Sequence, residues 1–408
     1  MNTEFPYITA IEVKDCFAYK DLGTIDVPPQ NGKPFSHLIL TGRNGSGKST
    51  ILKGVDNVMD IFLYEKNISL SYKKDMLKRT IDASSVQYVI NHSYLLFLLE
   101  NINLNFNNEI TENNKPNAKK HLYTYFNAQR ELKLDEVTSS TTMNEFETNL
   151  NQKQGTAFFY KKLKQYLVNK KINQAFAQLK DNKAVIDSIN TFFNQIEEII
   201  SRFSQDKGLK LIFNDENFEF YLNYSSGVKH TLEQSSDGLA AFLNLLISLL
   251  LRTDLIRSAE GNQNFDPPGI VLIDEPENHL HIAAQYEVMP MLTTLFPNVQ
   301  FIIATHSPAV ISSIKNTVVY DITSRQSELD EVAGSSYSEL MMTHFGLENE
   351  YSAVADDIIK QVNTVLKENR NNKPVLKKKL SIIYEENRRY LSPTLSLELE
   401  ALILENEL

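Results

Sequence analysis

The stretch Thr41-Gly42-Arg43-Asn44-Gly45-Ser46-Gly47-Lys48-Ser49-Thr50 combines glycines, one lysine and adjacent hydroxyls at a spacing suited to gripping phosphate. Successive backbone N–H groups and a helix N-terminus can cradle phosphate oxygens, and glycines are required where a side chain would block the approach. Lys48 offers a point charge to β- and γ-phosphates, and the Ser49 hydroxyl is a hard oxygen ligand for Mg2+. Asn44, Gly45, Ser46, Gly47, Lys48, Ser49 and Thr50 are therefore the candidate phosphate contacts, and ATP with Mg2+ the expected ligands.

A second set of chemical residues lies far along the chain. Asp274 and Glu275 follow the apolar run Ile270 to Ile273, so they emerge at the carboxyl end of a buried strand, where open α/β sheets place their ligands. Asp274 is expected to hold Mg2+ through its water shell, and Glu275 to polarise the water that attacks the γ-phosphate. His306 closes the next apolar strand, Val299 to Ala304, and is placed to donate to the same phosphate or water. A zinc site from His279, His281 and His306 is the competing reading; no cysteine or third carboxylate completes it. Ser235-Ser236-Asp237-Gly238 precedes a long apolar helix and offers a second anion-binding loop, which suggests a site completed by another subunit.

The elements that must position these residues follow from periodicity. The first forty residues alternate around Ile8, Ile11, Val13 and Phe17 and again through Ile25 and Val27, as a strand pair does. Leu38 to Leu40 is a short buried strand entering the glycine-rich loop, and Ile51, Leu52, Val55, Val58, Met59 and Phe62 recur at helical spacing after it. Residues 67–208 turn rich in Asn, Lys and Gln with helical periodicity, interrupted by a core strand near 122–129. Residues 209–224 read as a hairpin, and strand and helix then alternate through 322, as in a parallel α/β sheet. The predicted organisation is a head in two pieces, 1–66 and 209–322, a mostly helical insertion over 67–208, and a helical tail over 323–408, with one helix expected over 337–345.

The composition of the 408 residues, 42% hydrophobic and 23% charged, is that of an ordinary globular chain. The longest apolar run, Leu243 to Leu251, is shorter than the roughly 20 residues a bilayer requires, so no membrane partner is expected. Cys16 stands alone, which excludes an intrachain disulfide and fits a reducing cytoplasm. A net charge of −10 argues against non-specific coating of nucleic acid, leaving only local lysine clusters at 161–171 and 377–379 for such a role.

The loop, the signature-like Ser236-Asp237-Gly238, the Asp274 to His281 run Asp-Glu-Pro-Glu-Asn-His-Leu-His and Thr305-His306-Ser307-Pro308, in this order, resemble the ABC-type ATPases. The likeness is to their non-transporter branch, the SMC-like and OLD-like AAA proteins. The resemblance implies an α/β fold: an ABC-type ATPase head, a P-loop NTPase with a mixed sheet, with a mostly helical insertion and a helical C-terminal tail. It implies that Gln129 is the Q-loop glutamine and second Mg2+ ligand. It also implies a homodimer or higher homo-oligomer in which ATP is sandwiched between heads, each P-loop facing the partner's Ser236, Asp237 and Gly238. Asp237 departs from the glycine of transporter signatures. A stand-alone ATPase of this kind is similar to the ATPase subunits of bacterial anti-phage defence systems such as Septu, PARIS and retrons, acting on a separate effector; slow or partner-regulated ATP hydrolysis is expected. The alternative is a DNA-repair or recombination clamp that closes on duplex DNA.

Overall fold

The alternation near the N-terminus forms Ile8–Asp15 (β1) and Lys20–Asp26 (β2), paired antiparallel with Ile8, Ile11, Val13 and Ile25 buried. His37–Thr41 (β3) is buried along its whole length and feeds Lys48–Tyr64 (α1) through the glycine-rich loop. Leu70–Ile81 (α2), Val86–Asn101 (α3), Ile102–Phe106 (β4) and Leu122–Phe126 (β5) come next. Gly155–Leu179 (α4) packs on Lys183–Phe203 (α5). The Asn182 side chain caps α5 by accepting from the Val185 N–H, and Ile189, Phe192, Phe193, Ile196, Ile199 and Ile200 form its buried stripe. Lys210–Asn214 (β6), Glu219–Asn223 (β7) and Lys229–Thr231 (β8) make an antiparallel meander. Asp237–Glu260 (α6), Gly269–Asp274 (β9), Ile282–Leu295 (α7), Val299–Ala304 (β10), Pro308–Ile311 (α8), Thr317–Asp321 (β11) and Gln326–Leu329 (β12) complete this part.

This computed structural model describes residues 5–64, 70–81, 86–110, 114–117, 119–129, 134–142, 145–146, 148, 155–329, 339–340, 342, 353–369 and 372–405. The chain divides into two units, Met1–Leu340 and Met341–Leu408. In the second, Ala353–Glu368 (α9), Lys373–Asn387 (α10) and Pro393–Glu405 (α11) enclose a small core of Ile358, Val362, Leu376, Leu380, Ile383, Tyr384 and Leu399.

The central sheet of the first unit has the order β12-β11-β3-β10-β9-β5. β11, β3, β10, β9 and β5 run parallel and β12 antiparallel at one edge, so the sheet is mixed. β3, β9, β10 and β11 are buried at every position, as expected for a parallel sheet covered on both faces. Register matters most at the carboxyl ends: Ala304 lies beside Leu40 and Asp274, Asp321 beside Thr41, and Phe126 beside Ile273. The turns after five strands therefore open on one edge of the sheet.

Two expectations are corrected. The segment from 323 is not helical at its start, because Gln326–Leu329 turns back as β12 on β11. Within the insertion, Ile102–Phe106 is a further strand, paired antiparallel with β1. Its alternation is hidden in the sequence because α3 runs into it without a breaker. The third strand of the meander, β8, is also absent from the sequence reading, being only three residues long. The helix expected over 337–345 falls largely outside the described residues. Among the described residues one helix, α6, is long and apolar enough to cross a bilayer, and 94% of its most apolar window is buried inside the fold. A helix apolar on all sides is a core helix here, and Leu243, Leu246, Leu249 and Leu251 are fully enclosed.

His37 on β3 is almost wholly buried, its Nδ1 accepting from the Phe301 N–H at 3.1 Å, and desolvation pushes its pKa down to about 3. A histidine held neutral in the folded state takes up a proton on unfolding below about pH 6.5, so stability falls as pH drops through that window. Chemical denaturation should show His37 alone costing about 2 kcal/mol between pH 7 and pH 5. His37→Asn, which keeps an acceptor for the Phe301 N–H, should flatten that part of the profile.

Candidate nucleotide site

Three strand ends build the site. The loop leaving β3 turns through glycines in the left-handed region, with φ of 127° at Gly42, 78° at Gly45 and 97° at Gly47. A Cβ on Gly47 would stand 2.8 Å from Cys16 Sγ, and one on Gly42 would stand 2.9 Å from Thr323 Oγ1, so side chains at these places collide as well as strain the backbone. Lys48 begins α1 and is buried, its Nζ donating to the carbonyls of Gly42 at 3.0 Å and Arg43 at 3.2 Å. Burial lowers its pKa, opposed by the carboxyls of Glu275, Asp274, Asp321 and Glu277. Ser46 Oγ is buried without a hydrogen-bond partner, while Asn44, Gly45 and Ser49 are exposed. Thr50 meets the hydroxyl of Tyr94 on α3.

The turn between β11 and β12 supports the loop from the side. Asp321 accepts from the Thr323 N–H at 2.7 Å, and Thr323 Oγ1 accepts from the Arg43 N–H at 3.0 Å.

The ladder continues past the strand ends, with the Glu275 N–H donating to Ala304 O at 2.8 Å and the Thr305 N–H to Leu40 O at 3.0 Å. This brings Asp274, Glu275, Thr305 and His306 beside the loop. Asp274 is buried, and Glu275 sits at φ 51°, a conformation L residues rarely adopt. His306 Nε2 lies 3.4 Å from Glu275 Oε1, and the His306 N–H reaches Glu275 Oε2 at 3.3 Å. Burial, then the neighbouring Glu277 carboxyl and Asp274, raise the Glu275 pKa to about 9, while burial and Lys48 hold His306 below its usual value. At neutral pH this contact joins two uncharged groups and is not an ion pair.

Glu277 is the residue the sequence reading left without a role. It is buried, its Oε1 accepts from Thr305 Oγ1 at 2.5 Å and from the His306 N–H at 3.0 Å, and its carboxyl bonds that of Glu275. Its place two residues after Glu275 was the only available signal. Phe17 was also passed over as a mere apolar position: it is 62% exposed at φ 67°, next to Cys16 beneath the loop, and stacks on Phe97 at 4.0 Å.

The remaining predicted residues sit on other turns. Gln129 is exposed three residues beyond β5, the strand beside β9; its neighbour Ala128 accepts through its carbonyl from Asn278 Nδ2 at 2.9 Å. Ser236 and Asp237 are exposed at the N-terminus of α6, and Ser236 makes no side-chain cap bond. With Gly238, His279 and His281 they line a separate cavity of about 750 Å3 that includes none of Lys48, Asp274, Glu275 or His306. Gly238 is pressed against the other strand's turn, since a Cβ there would stand 2.3 Å from His279 O. The two histidines thus belong to this second cavity, and His306 does not.

The lysine cluster is mostly spent inside the chain. Lys162 pairs with Asp135, buried Lys164 with Glu219 at 2.5 Å and Glu233 at 3.4 Å, and Lys170 with Asp254 at 2.7 Å, while Lys171 lies 4.0 Å over the Phe193 ring. Lys162, Lys164 and Lys170, part of the cluster that motivated the DNA-clamp alternative, are therefore already paired with carboxylates of this chain.

A parallel sheet whose strand ends bring a glycine cradle, a buried lysine and an acidic pair together defines a P-loop nucleoside-triphosphatase head. Over residues 38–312 the chain belongs to the family described as "AAA domain, putative AbiEii toxin, Type IV TA system". It is 29% identical over 136 residues to the "Retron Vc95 probable ATPase" of Vibrio cholerae serotype O1 biovar El Tor, covering 33% of this chain and 24% of that protein. It is 26% identical over 309 residues to the Septu protein PtuA of Bacillus mycoides (strain KBAB4), covering 74% of this chain and 38% of that one. The chain thus spans well under half the length of these two relatives. Among solved structures, the Smc head domain with an extended coiled coil from Pyrococcus furiosus, bound to the C-terminal domain of ScpA, aligns at 15% identity and a TM-score of 0.34. That alignment covers 79% of this chain and 96% of that one.

The Glu275 proton gives the site a pH signature. A carboxyl whose pKa is raised in the folded state keeps a proton that the unfolded chain releases, so stability declines as pH rises from about 4.5 to about 9. Thermal melts of the nucleotide-free protein should show this decline above neutral pH, and Glu275→Gln, which mimics the protonated form, should reduce it.

Proposed function

We propose that this chain binds Mg-ATP in the cradle and hydrolyses it, acting as a molecular switch within an anti-phage defence assembly. The observation that carries the reading is the meeting of Lys48 and the glycine loop with Asp274, Glu275 and His306 at one sheet edge. The residues fit the ligand: two glycines at positive φ packed so closely on Cys16 and Thr323 that a side chain would displace the loop, a buried amine bonded only to loop carbonyls among the described residues, and the orphaned Ser46 hydroxyl beside them. Asn44 to Thr50 take the phosphates, with Lys48 neutralising their charge. Ser49 and Asp274 hold Mg2+, with Gln129 as a further ligand; the ion spreads charge from the phosphate oxygens when bound. Glu275 polarises the attacking water and His306 orients it. A proton must leave Glu275 before it can act as base, and phosphate and cation entering beside it change the field that holds that proton.

Exposed Ser236 and Asp237, with Gly238 buried behind them, line a cavity of their own, which supports the reading that this loop meets the nucleotide of a second copy in a homodimer or larger homo-oligomer. Asp237 adds negative charge at that helix start, so the contact is weaker than a glycine would allow. Similarity to Septu and retron proteins supports the defence role; a separate effector and a cytoplasmic setting are proposed along with it. We propose likewise a head of 1–66 and 209–322, an insertion over 67–208 and a tail over 323–408, with β4, β5 and β12 contributing strands to the head.

Phosphate-release assays should show slow turnover in the wild type and none in Lys48→Ala; turnover that survives this change would overturn the reading. Glu275→Gln should accumulate an ATP-bound oligomer, detectable by light scattering, where the wild type returns to its resting state. Fluorescence anisotropy with duplex DNA at low salt should show no ATP-dependent binding; binding lost in Lys161→Ala would instead favour the clamp.

A further inference from the structure

The pairing of β9 with β10 ends at Asp274 and Ala304, yet the residues that matter for hydrolysis, Glu275 and His306, lie one and two positions beyond it. One backbone bond carries on past it, from the Glu275 N–H to Ala304 O at 2.8 Å, but the His306 N–H meets only carboxyl oxygens, so the ladder does not fix the spacing of the two side chains. Glu275 leaves the strand at φ 51°, and the chain continues through Pro276, which has no N–H to donate. Glu277 supplies what the ladder lacks. One of its oxygens accepts from both the Thr305 hydroxyl and the His306 N–H, and the same carboxyl bonds that of Glu275. The bonds reach further: Thr305 Oγ1 accepts from the Ser307 N–H at 2.9 Å, Ser307 Oγ donates to Gln285 Oε1 at 2.6 Å, and Gln285 Nε2 donates to Leu280 O at 2.8 Å. Both turns are thus stitched to each other through side chains, with Glu277 as the innermost stitch.

Glu277 is buried with Oε1 accepting two bonds and Oε2 left without a hydrogen-bond partner, a cost that an inert filler would not carry. Its reach ends on Thr305, His306 and Glu275, while the cradle residues bond elsewhere. We infer that Glu277 is a positioning residue for hydrolysis: without touching nucleotide, it sets the distance and angle between Glu275 and His306. This rests on the ATPase reading above, and goes beyond it by assigning turnover geometry to a residue outside the P-loop, acidic-strand and histidine set.

The test uses the full chain, with single-turnover hydrolysis of bound ATP and ATP affinity measured by equilibrium dialysis in parallel. Glu277→Ala should slow hydrolysis on the order of 10²-fold, the scale of losses from slight misplacement of reacting groups. ATP affinity should stay within about twofold, since the lost contacts serve the reaction and not ground-state binding. Glu277→Gln keeps an acceptor oxygen for Thr305 and His306 and should recover most of the rate. Thr305→Val removes a donor to the same oxygen, should slow hydrolysis about tenfold, and should add nothing on top of Glu277→Ala because both act through one contact. An unchanged rate in Glu277→Ala, or affinity falling as far as the rate, overturns the proposal. Should Glu277→Ala fail to fold, Thr305→Val alone decides: an unchanged rate overturns it, a slower rate at unchanged affinity supports it. Turnover abolished by Lys48→Ala but indifferent to Glu277 sinks only this inference; a wild type without turnover sinks the ATPase reading and this inference with it.

Discussion

The register of β3, β10 and β9 is the constraint on which the rest of this molecule depends. Parallel strands place all their carboxyl ends on one side, and the pairs Leu40 with Ala304 and Ala304 with Asp274 level those ends across the sheet. A slip of one residue along β9 would turn Asp274 to the other face and carry Glu275 away from His306. Burial of every residue in these strands does not by itself resist the slip, because it would exchange one apolar face for another, so polar contacts must fix the height. Gln300 adds a lock, with Nε2 donating to Ile8 O and Ser36 O and Oε1 accepting from the Ile8 N–H, all within the core. A buried side chain that must satisfy three backbone groups has one acceptable height in the sheet.

Given that register, the loop after β3 has little freedom left. It is bounded below by Cys16 and on one flank by Asp321 and Thr323, and both neighbours come within contact distance of the glycine backbone. The glycines thus serve two needs at once, positive φ and close approach, and the second is imposed by segments far away in sequence. Cys16 and Thr323 act as walls of the cradle even though neither carries the chemistry.

The order of phosphate loop, acidic strand and histidine turn was legible because each follows an apolar run whose end is marked by a change to polar residues. Ile282–Leu295 and Val299–Ala304 are likewise readable from periodicity and length alone. What sequence hid was local pairing without local signals. β4 begins where α3 stops, with no glycine or proline between Asn101 and Ile102, and β12 holds four residues against an edge. Glu277 was hidden for another reason. Among acids after a strand, nothing in residue type distinguishes one that meets solvent from one folded back onto Thr305, because that depends on the turn at Glu275. The lysines at 161–171 were opaque in the opposite sense: Glu219 and Glu233 lie 55 and 69 residues beyond Lys164, and Asp254, which pairs with Lys170, is equally remote along the chain.

Charge balance explains why the cluster has the protonation it does. Lys48 feels four carboxyls, those of Glu275, Asp274, Asp321 and Glu277, and one ammonium cannot compensate them in a space this sheltered. Bringing several carboxylates out of water is far more costly than leaving a proton on one of them, and burial together with the Glu277 carboxyl puts that proton on Glu275. The proton on Glu275 is therefore a consequence of assembling the site, not a separate feature of it. The same imbalance favours any ligand that brings positive charge near Asp274 while occupying the loop's N–H groups with anionic oxygens. A divalent cation held on a polyphosphate meets both demands together, whereas phosphate alone would add to the negative charge and a cation alone would leave the loop unfilled. The acids and the glycine loop are thus parts of one electrostatic design, each poorly satisfied unless the other is engaged.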